Sequence, residues 1–566
     1  MPFLPTARMG LVMLCTLFAT TGGAQALPES LIQKIDQVFA IKSTDSMPGF
    51  TVGIVRNDSL IFAKGYGMAN LEYGIPNTPE SVYHMASVSK QFTAYAILLL
   101  EKSGRLKLDD DIRKYLSWFP DLKQTITITH LMNHTSGIRD QWDLNFISGR
   151  RFDDVITQDY LVNLLSRQQG LNFKPGAEFS YSNSNYTLMA EIVKSITGQS
   201  FRRFADSAIF KPLGMTVTHV HDDHTEMVPN RAYSYRPLDV RRYANSVLNF
   251  ANAGATSLFT NIPDMSKWIM NFYDPKIGGN DVLQKLTTKG VLNNGNRIPY
   301  AAGIVVDEYN GKKRFSHNGA DAGYRTFVSV FPEERMGFMV FSNLGTVNIG
   351  AKAAELTNLF MPPLADGGKK KLDSSKARFT DTAAIARFMG PYISDDGVQY
   401  SYTLKEGQVY LTSAAGNQLL ARGQRDTLFM LSNPDVRFLF SANGATGAVV
   451  DYYGLEGHKR LKRYTPATKD TVQMGKELKE YVGTYHSPEV DFAYTLVLEN
   501  NRLQLTSNQS FTAKSTLEYI TKDHFRIGNL FLRFPRNAGG QIGRFELSTG
   551  RTKHMVFNKV EAKKGK

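Results

Sequence analysis

Apolar residues recur with a helical period over residues 31–42, where Leu31, Ile35, Val38 and Phe39 fall on one face. The pattern then changes. Residues 50–55 and 59–67 read as two strands joined by the turn Arg56-Asn57-Asp58, an antiparallel hairpin. The run Met85-Ala86-Ser87-Val88-Ser89-Lys90 leads into an apolar stretch that closes near Gly104 and predicts a helix. Acids at Asp109, Asp110 and Asp111 cap a further short helix. Helices are expected around 153–168, after Tyr181 as far as Ile196 with a stop at Gly198, and over 262–273 with Pro263 in the first turn. Residues 300–346 return to strand character in four pieces, 300–306, 313–317, 326–331 and 337–342. Helices in the middle and strands at both ends predict an α+β domain, with one antiparallel sheet packed on a helical region.

At Met361-Pro362-Pro363-Leu364 the composition shifts, and residues 365–378 hold Gly, Lys, Asp and Ser with little apolar content, as a linker does. Beyond it the chain is β-rich and duplicated. Phe388-Met389-Gly390-Pro391-Tyr392 recurs as Tyr481-Val482-Gly483-Thr484-Tyr485, offset by 93 residues. Tyr402-Thr403-Leu404 recurs at Tyr494, Leu411-Thr412-Ser413 at Leu505, and Phe438-Leu439-Phe440 at Leu532, in order and at nearly the same spacing. Short strands at regular turn spacing predict two small antiparallel, lipocalin-like β-barrels. Barrels of this size are expected to be filled by their own side chains. A barrel loop could still cover a neighbouring cleft.

The bulk numbers narrow the class. The chain has 566 residues, 42% of them hydrophobic and 21% charged, which fits ordinary folded domains. Its net charge of +14 is scattered, and no basic recognition motif is present, so a nucleic-acid partner is not expected. Residues 1–26 resemble a secretory signal, with Arg8, a short apolar stretch and the Ala24-Gln25-Ala26 cleavage pattern. Cys15 is the only cysteine, so a processed chain has neither disulfides nor a cysteine nucleophile. No later segment has the length of a membrane helix. The expected product is periplasmic or secreted, with domains at 27–361, 381–470 and 471–562 and a linker at 362–380.

Ser87 precedes Lys90 by three residues, so the two side chains share a helical face. The helix start offers free backbone N–H groups for an oxyanion. This is a nucleophile beside an amine base, but the spacing alone is common. Its meaning comes from two ordered partners later in the chain: Tyr181-x-Asn183 after the Lys174-Pro175-Gly176 turn, then His317-Asn318-Gly319 at the end of a strand. In these motifs residues 30–350 resemble the serine β-lactamase and penicillin-binding superfamily, in the branch containing class C β-lactamases, D-aminopeptidases and esterases. His134-Thr135-Ser136-Gly137 and Lys211-Pro212-Leu213-Gly214-Met215 also look like family features. The two barrels further resemble D-aminopeptidase architecture.

The resemblance implies catalytic roles for Ser87, Lys90, Tyr181 and His317, with Asn183, Gly319 and Ala320 binding substrate and oxyanion. Either Lys90 or Tyr181 could be the base, Tyr181 if Lys90 lowers its pKa. Most β-lactamases carry lysine where this chain has His317, a fixed cation suited to a substrate carboxylate; histidine is mostly neutral at pH 7. Expectation therefore moves from β-lactams to short peptides or amides with D-amino acids. An esterase, a D-Ala-D-Ala carboxypeptidase and a non-catalytic binding protein are the alternatives. No cofactor or metal is expected, and a homo-oligomer is admitted. His219-Val220-His221-Asp222-Asp223-His224 has ligand-type residues but reads as a hydrogen-bonded loop. His130 and His134 read as turn and packing residues, and Tyr66, Tyr73 and Tyr83 as strand-packing aromatics.

Overall fold

The computed structural model describes residues 27–41, 47–240, 242–363, 377–379, 382–413, 416–422, 426–430, 433–443, 447–454, 457–466, 477–507 and 514–560. The expected leader with Cys15, and most of the expected linker, lie outside the described residues. The N-terminal region is built around α1 (Glu29–Val38), β1 (Phe50–Arg56), β2 (Ser59–Tyr66), α2 (Lys90–Lys102), α3 (Asn183–Thr197), α4 (Ile262–Met270), β3 (Val305–Tyr309), β4 (Lys312–Asp321), β5 (Tyr324–Phe331), β6 (Met336–Ser342) and α5 (Ile349–Phe360). The six strands form one antiparallel sheet in the order β3-β4-β5-β6-β1-β2. The N-terminal hairpin is thus joined to the late strands through β1 and β6, with Thr51 opposite Phe341.

The sheet is covered on both faces. Ile35 and Phe39, in and just beyond α1, and Leu356 of α5 join Val52, Ile54, Phe338 and Val340 in one cluster. On the other face Ile262 and Ile269 of α4 sit over Gly53 and Gly337. Burial on two sides explains why β1 and β6 read as continuous apolar runs. The same reasoning applies to α2, which is apolar nearly all round and buried from Lys90 to Leu98. It packs against α3 at the centre of the helical region.

Two local differences from the sequence pattern bear on the site. Ala86–Ser89 form a 3₁₀ turn before α2 begins at Lys90, and Ala86 has φ +49°. The expected strand over 300–306 is instead a turn, with Ala301 N–H bonded to Ile304 O at 2.8 Å, and β3 begins only at Val305. Gly303 (φ +74°) lies in that turn so close to α2 that a Cβ would be 2.7 Å from the Lys90 carbonyl carbon.

The first C-terminal unit is a closed eight-stranded barrel running from Gly390–Ser394 to Gly457–Arg463, its first strand paired with its last. The second is a nine-stranded sheet whose two edge strands, Ser515–Thr516 and Glu518–Thr521, are consecutive in the chain, so it is nearly closed. Tyr402, Leu420 and Phe438 fill the first interior; Leu505, Phe545 and Phe557 fill the second. The duplication extends to local geometry. Tyr392 donates to Phe388 O at 3.0 Å, and its counterpart Tyr485 donates to Tyr481 O at 2.8 Å.

Candidate active site

Ser87 sits in the 3₁₀ turn that opens α2, and Lys90 is its first α-helical residue. The Lys90 Nζ lies 3.2 Å from Ser87 Oγ, 2.8 Å from Asn183 Oδ1 and 2.7 Å from Ala255 O. Lys90 is fully buried, and among the described residues no carboxylate reaches it at ion-pair distance. Burial lowers its pKa to about 7 against the upward pull of Asp321 and Asp140, and the Arg551 cation lowers it further. A neutral amine has two N–H donors and one lone pair. The Asn183 and Ala255 oxygens can only accept, so they take the two protons and leave the lone pair facing the Ser87 hydroxyl.

Tyr181 and Asn183 lie at the start of α3. Asn183 holds Lys90 through Oδ1 and donates through Nδ2 to Asp140 Oδ2 at 2.8 Å, while its backbone N–H donates to the same oxygen at 2.6 Å. Asp140 is buried and also caps the following helix by accepting from Trp142 N–H. The Tyr181 ring lies 4.9 Å beneath Lys90 Nζ and 4.2 Å from the His134 ring. Its hydroxyl is buried toward Ser87 without closing a hydrogen bond. Burial raises the Tyr181 pKa, outweighing the downward pull of Ser87 and the Arg551 cation, so the condition under which Tyr181 would share the base role is not met.

His317, near the middle of β4, is 4% exposed. Its Nδ1 is 2.6 Å from Asn318 O, which can only accept, so Nδ1 carries the proton and Nε2 accepts from Tyr300 O–H at 3.0 Å. Burial, and Lys90 beside it, hold the imidazole pKa at about 3, so the ring is neutral. Two residues on, β4 presses against the Ser87 turn: a Cβ on Gly319 would be 2.4 Å from Met85 O and 3.0 Å from the Ala86 methyl. Ala320 is exposed at the same strand end.

Several partners carry no sequence signal. Ala86 N–H donates to His84 Nδ1 at 3.1 Å, His84 Nε2 meets Thr256 Oγ1 at 3.3 Å, and Thr256 donates to Asp321 Oδ2. Burial raises the Asp321 pKa to about 6. The second barrel also reaches the site. Between its last two strands, Arg544–Ser548 and Met555–Val560, the loop carries Arg551, whose guanidinium lies 5.0 Å from the Tyr181 ring centroid. Asp143 holds this loop by accepting from Thr549 Oγ1 at 2.5 Å and from Arg551 N–H at 2.8 Å. A cavity of about 860 Å³ is walled by Asp140, Trp142, Arg551 and parts of both barrels. A second, of about 580 Å³, has Ala320 and Asp321 in its wall and shares Trp142 and Phe152 with the first.

The remaining polar candidates fall elsewhere. His219, His221 and Glu226 bring ligand atoms within 4.8 Å of one another. Arg202 already spans both Glu226 oxygens at 2.6 and 2.7 Å, so the carboxylate is committed to a guanidinium. His130 completes a capping box with Thr127, and His134 (φ +57°) packs among Tyr181, Tyr186 and Tyr300. Tyr83 bonds Thr51 and Asn77, Tyr66 bonds Asp36, and Tyr73 is exposed.

A serine and a buried lysine whose pKa is lowered to about 7, at the head of a core helix and against the strand of an antiparallel sheet, define a serine hydrolase. The Beta-lactamase family model matches residues 29–358, more than half of the chain, and the chain belongs to that family. It is 28% identical over 432 residues to penicillin-binding protein 4* of Bacillus subtilis, covering 72% of this chain and 93% of that protein. It is also 28% identical over 328 residues to the D-aminopeptidase of Brucella canis, covering 58% of this chain and 62% of the relative, less than two thirds of its length. The octameric penicillin-binding protein homologue of Pyrococcus abyssi shares the fold with a TM-score of 0.51 at 22% identity, over 76% of this chain and 98% of that one.

Proposed function

We propose that this serine hydrolase is exported and acts through an acyl-enzyme on Ser87, with short peptides or amides containing D-amino acids as substrates. The observation that carries the reading is the hydrogen-bond arrangement of Lys90, which leaves a neutral amine only one place for its lone pair, the Ser87 hydroxyl. As Ser87 Oγ attacks the substrate carbonyl, Lys90 takes its proton. Backbone N–H groups of Ser87 and Ala320 hold the oxyanion. On collapse, the proton returns to the leaving nitrogen, with the neutral Tyr181 hydroxyl as its relay. Water then attacks the ester by the reverse route. Asn183 and its partner Asp140 fix Lys90, and Gly319 admits the substrate beside β4. His317 is a neutral donor–acceptor that orients Tyr300 in this scheme, not a proton acceptor.

The similarity to a D-aminopeptidase and to a penicillin-binding protein supports D-configured peptide or amide substrates. A fluorophosphonate should label the wild type at Ser87 and not Ser87→Ala. A panel of D-aminoacyl anilides, short esters and D-Ala-D-Ala peptides separates peptidase from esterase. Absence of an adduct on the folded protein would remove the mechanism, and hydrolysis confined to esters would remove the peptide substrates.

A further inference from the structure

We propose that Arg551 is a carboxylate-recognition residue of this site, contributed by the second barrel and receiving a free carboxylate on the leaving-group side of the substrate. The proposal rests on the Ser87 acyl-transfer reading above.

The backbone of Arg551 is fixed on both sides. Its N–H donates to Asp143, and its carbonyl accepts from Asn172 Nδ2 at 2.8 Å and from Asp140 N–H at 3.3 Å. Its side chain extends over Tyr181, and among the described residues the guanidinium has no hydrogen bond or ion pair. A guanidinium stacked on an aromatic face keeps its edge N–H groups free for a planar anion. Among the described residues, nothing else beside the nucleophile supplies a fixed cation of this kind. His317 is neutral, and Lys90 gives up its charge with a pKa of about 7 and is held by Asn183 and Ala255. Arg325 is tied through Nη1 to the Ala322 and Tyr324 carbonyls at 3.0 and 2.7 Å and has no aromatic ring beneath it among the described residues.

The position sets the side of the substrate. Tyr181 and Lys90 must return the proton to the leaving atom, so a cation over Tyr181 neighbours the leaving group. On its other side Arg551 joins Asp140, Asp143 and Trp142 in the wall of the cavity of about 860 Å³, which has room for a leaving amino acid. The acids nearby do not offer the opposite preference. Asp140 accepts from Asn183 and Trp142, Asp143 from Thr549 and Arg551, and Asp321 from Thr256, so each is already engaged.

The test compares two aryl acetates that differ only in the leaving group, 3-hydroxybenzoate against 3-hydroxybenzamide, in the wild type, Arg551→Gln and Arg551→Lys. Fluorophosphonate labelling of Ser87 is read on the same samples. The wild type should favour the carboxylate in kcat/KM by tenfold or more, Arg551→Gln should erase that ratio, and Arg551→Lys should restore part of it. No preference in a wild type that labels at Ser87, or an equal ratio in Arg551→Gln, overturns the role of Arg551 and leaves the acyl-enzyme reading standing. An equal loss on both substrates in both variants assigns Arg551 a structural role and also overturns the proposal. Absence of labelling and turnover together overturns the reading on which it rests.

Discussion

Replacing Glu489 of the second barrel should weaken both the docking of that barrel and the site. Glu489 and Arg139 are each 4% exposed at the side chain and form an ion pair across the interface. Glu489 also accepts from Gln169 N–H at 2.8 Å. Removing one partner of a buried pair strands the other charge and typically costs about 3–5 kcal/mol. Glu489→Leu leaves the Arg139 guanidinium with the Lys553 carbonyl at 3.3 Å and two contacts at 3.5 Å, so the full range applies. Glu489→Gln keeps an acceptor and falls at the low end. The double variant Arg139→Met/Glu489→Leu buries no charge and should recover most of the loss.

The functional consequence arises at the other end of Arg139. Its carbonyl accepts from Ser182 Oγ at 3.3 Å and Ser184 Oγ at 2.6 Å, the residues flanking Asn183, and Asp140 is next in the chain. A displaced Arg139 therefore moves the groups that hold Lys90. Urea unfolding tracked by tryptophan emission reads the undocking, because Trp142 lines the cavity between the catalytic region and the barrels. The first transition, not a global two-state fit, is the relevant quantity in a multidomain chain. A loss below about 1 kcal/mol in Glu489→Leu would refute the reasoning, since that is the range of a hydrated surface pair.

In the pH profile, kcat/KM should rise as a single-proton limb near pH 7, because in the proposed mechanism neutral Lys90 accepts the Ser87 proton. Arg551→Gln removes a cation that lowers the Lys90 pKa, so the limb should move to higher pH; a move to lower pH would count against the arrangement. His317→Lys places a second ammonium beside Lys90 and should move the limb the other way. His317→Ala leaves the Tyr300 hydroxyl without its acceptor and should destabilise by about 1–3 kcal/mol in thermal or urea unfolding. Gly319→Ala forces a methyl to 2.4 Å from Met85 O and should push β4 off the Ser87 turn, costing about 1–3 kcal/mol and most of the labelling rate at Ser87.

The parts of this design visible in the sequence are those with local or ordered signatures. Ser87 and Lys90 are three residues apart, the later motifs come in order, and the hairpin, the buried helix and the filled barrels are written in apolar periodicity. The parts without such a signature depend on contacts between distant segments. The oxygen that fixes Lys90 from the far side is the carbonyl of Ala255, a residue with no side-chain chemistry, 165 positions away. Asp140 reaches Asn183 across 43 positions and belongs to no motif. The choice between Lys90 and Tyr181 as base stayed open in the sequence because charge proximity can be inferred from motif order, whereas the burial that raises the Tyr181 pKa cannot. The turn at 301–304 has the apolar content of a strand but is bent by its approach to α2.

The burial that decides these cases also bears on how the site discriminates. A fixed cation on β4 would lie beside Lys90 and depress its pKa further; a neutral histidine there leaves the lysine near neutrality, ready to lose a proton or hold one. The cation that contacts Tyr181 comes instead from a different domain, on a loop held by Asp143 and the backbone of Asp140. In the proposed scheme the side chains that position Lys90 and the cation that receives the anion come from separate segments, coupled through the effect of Arg551 on the Lys90 pKa. Substitutions in the barrel loop can then alter which anion is received with little change to the groups that position Lys90, whereas substitutions at the Arg139–Glu489 contact change both at once.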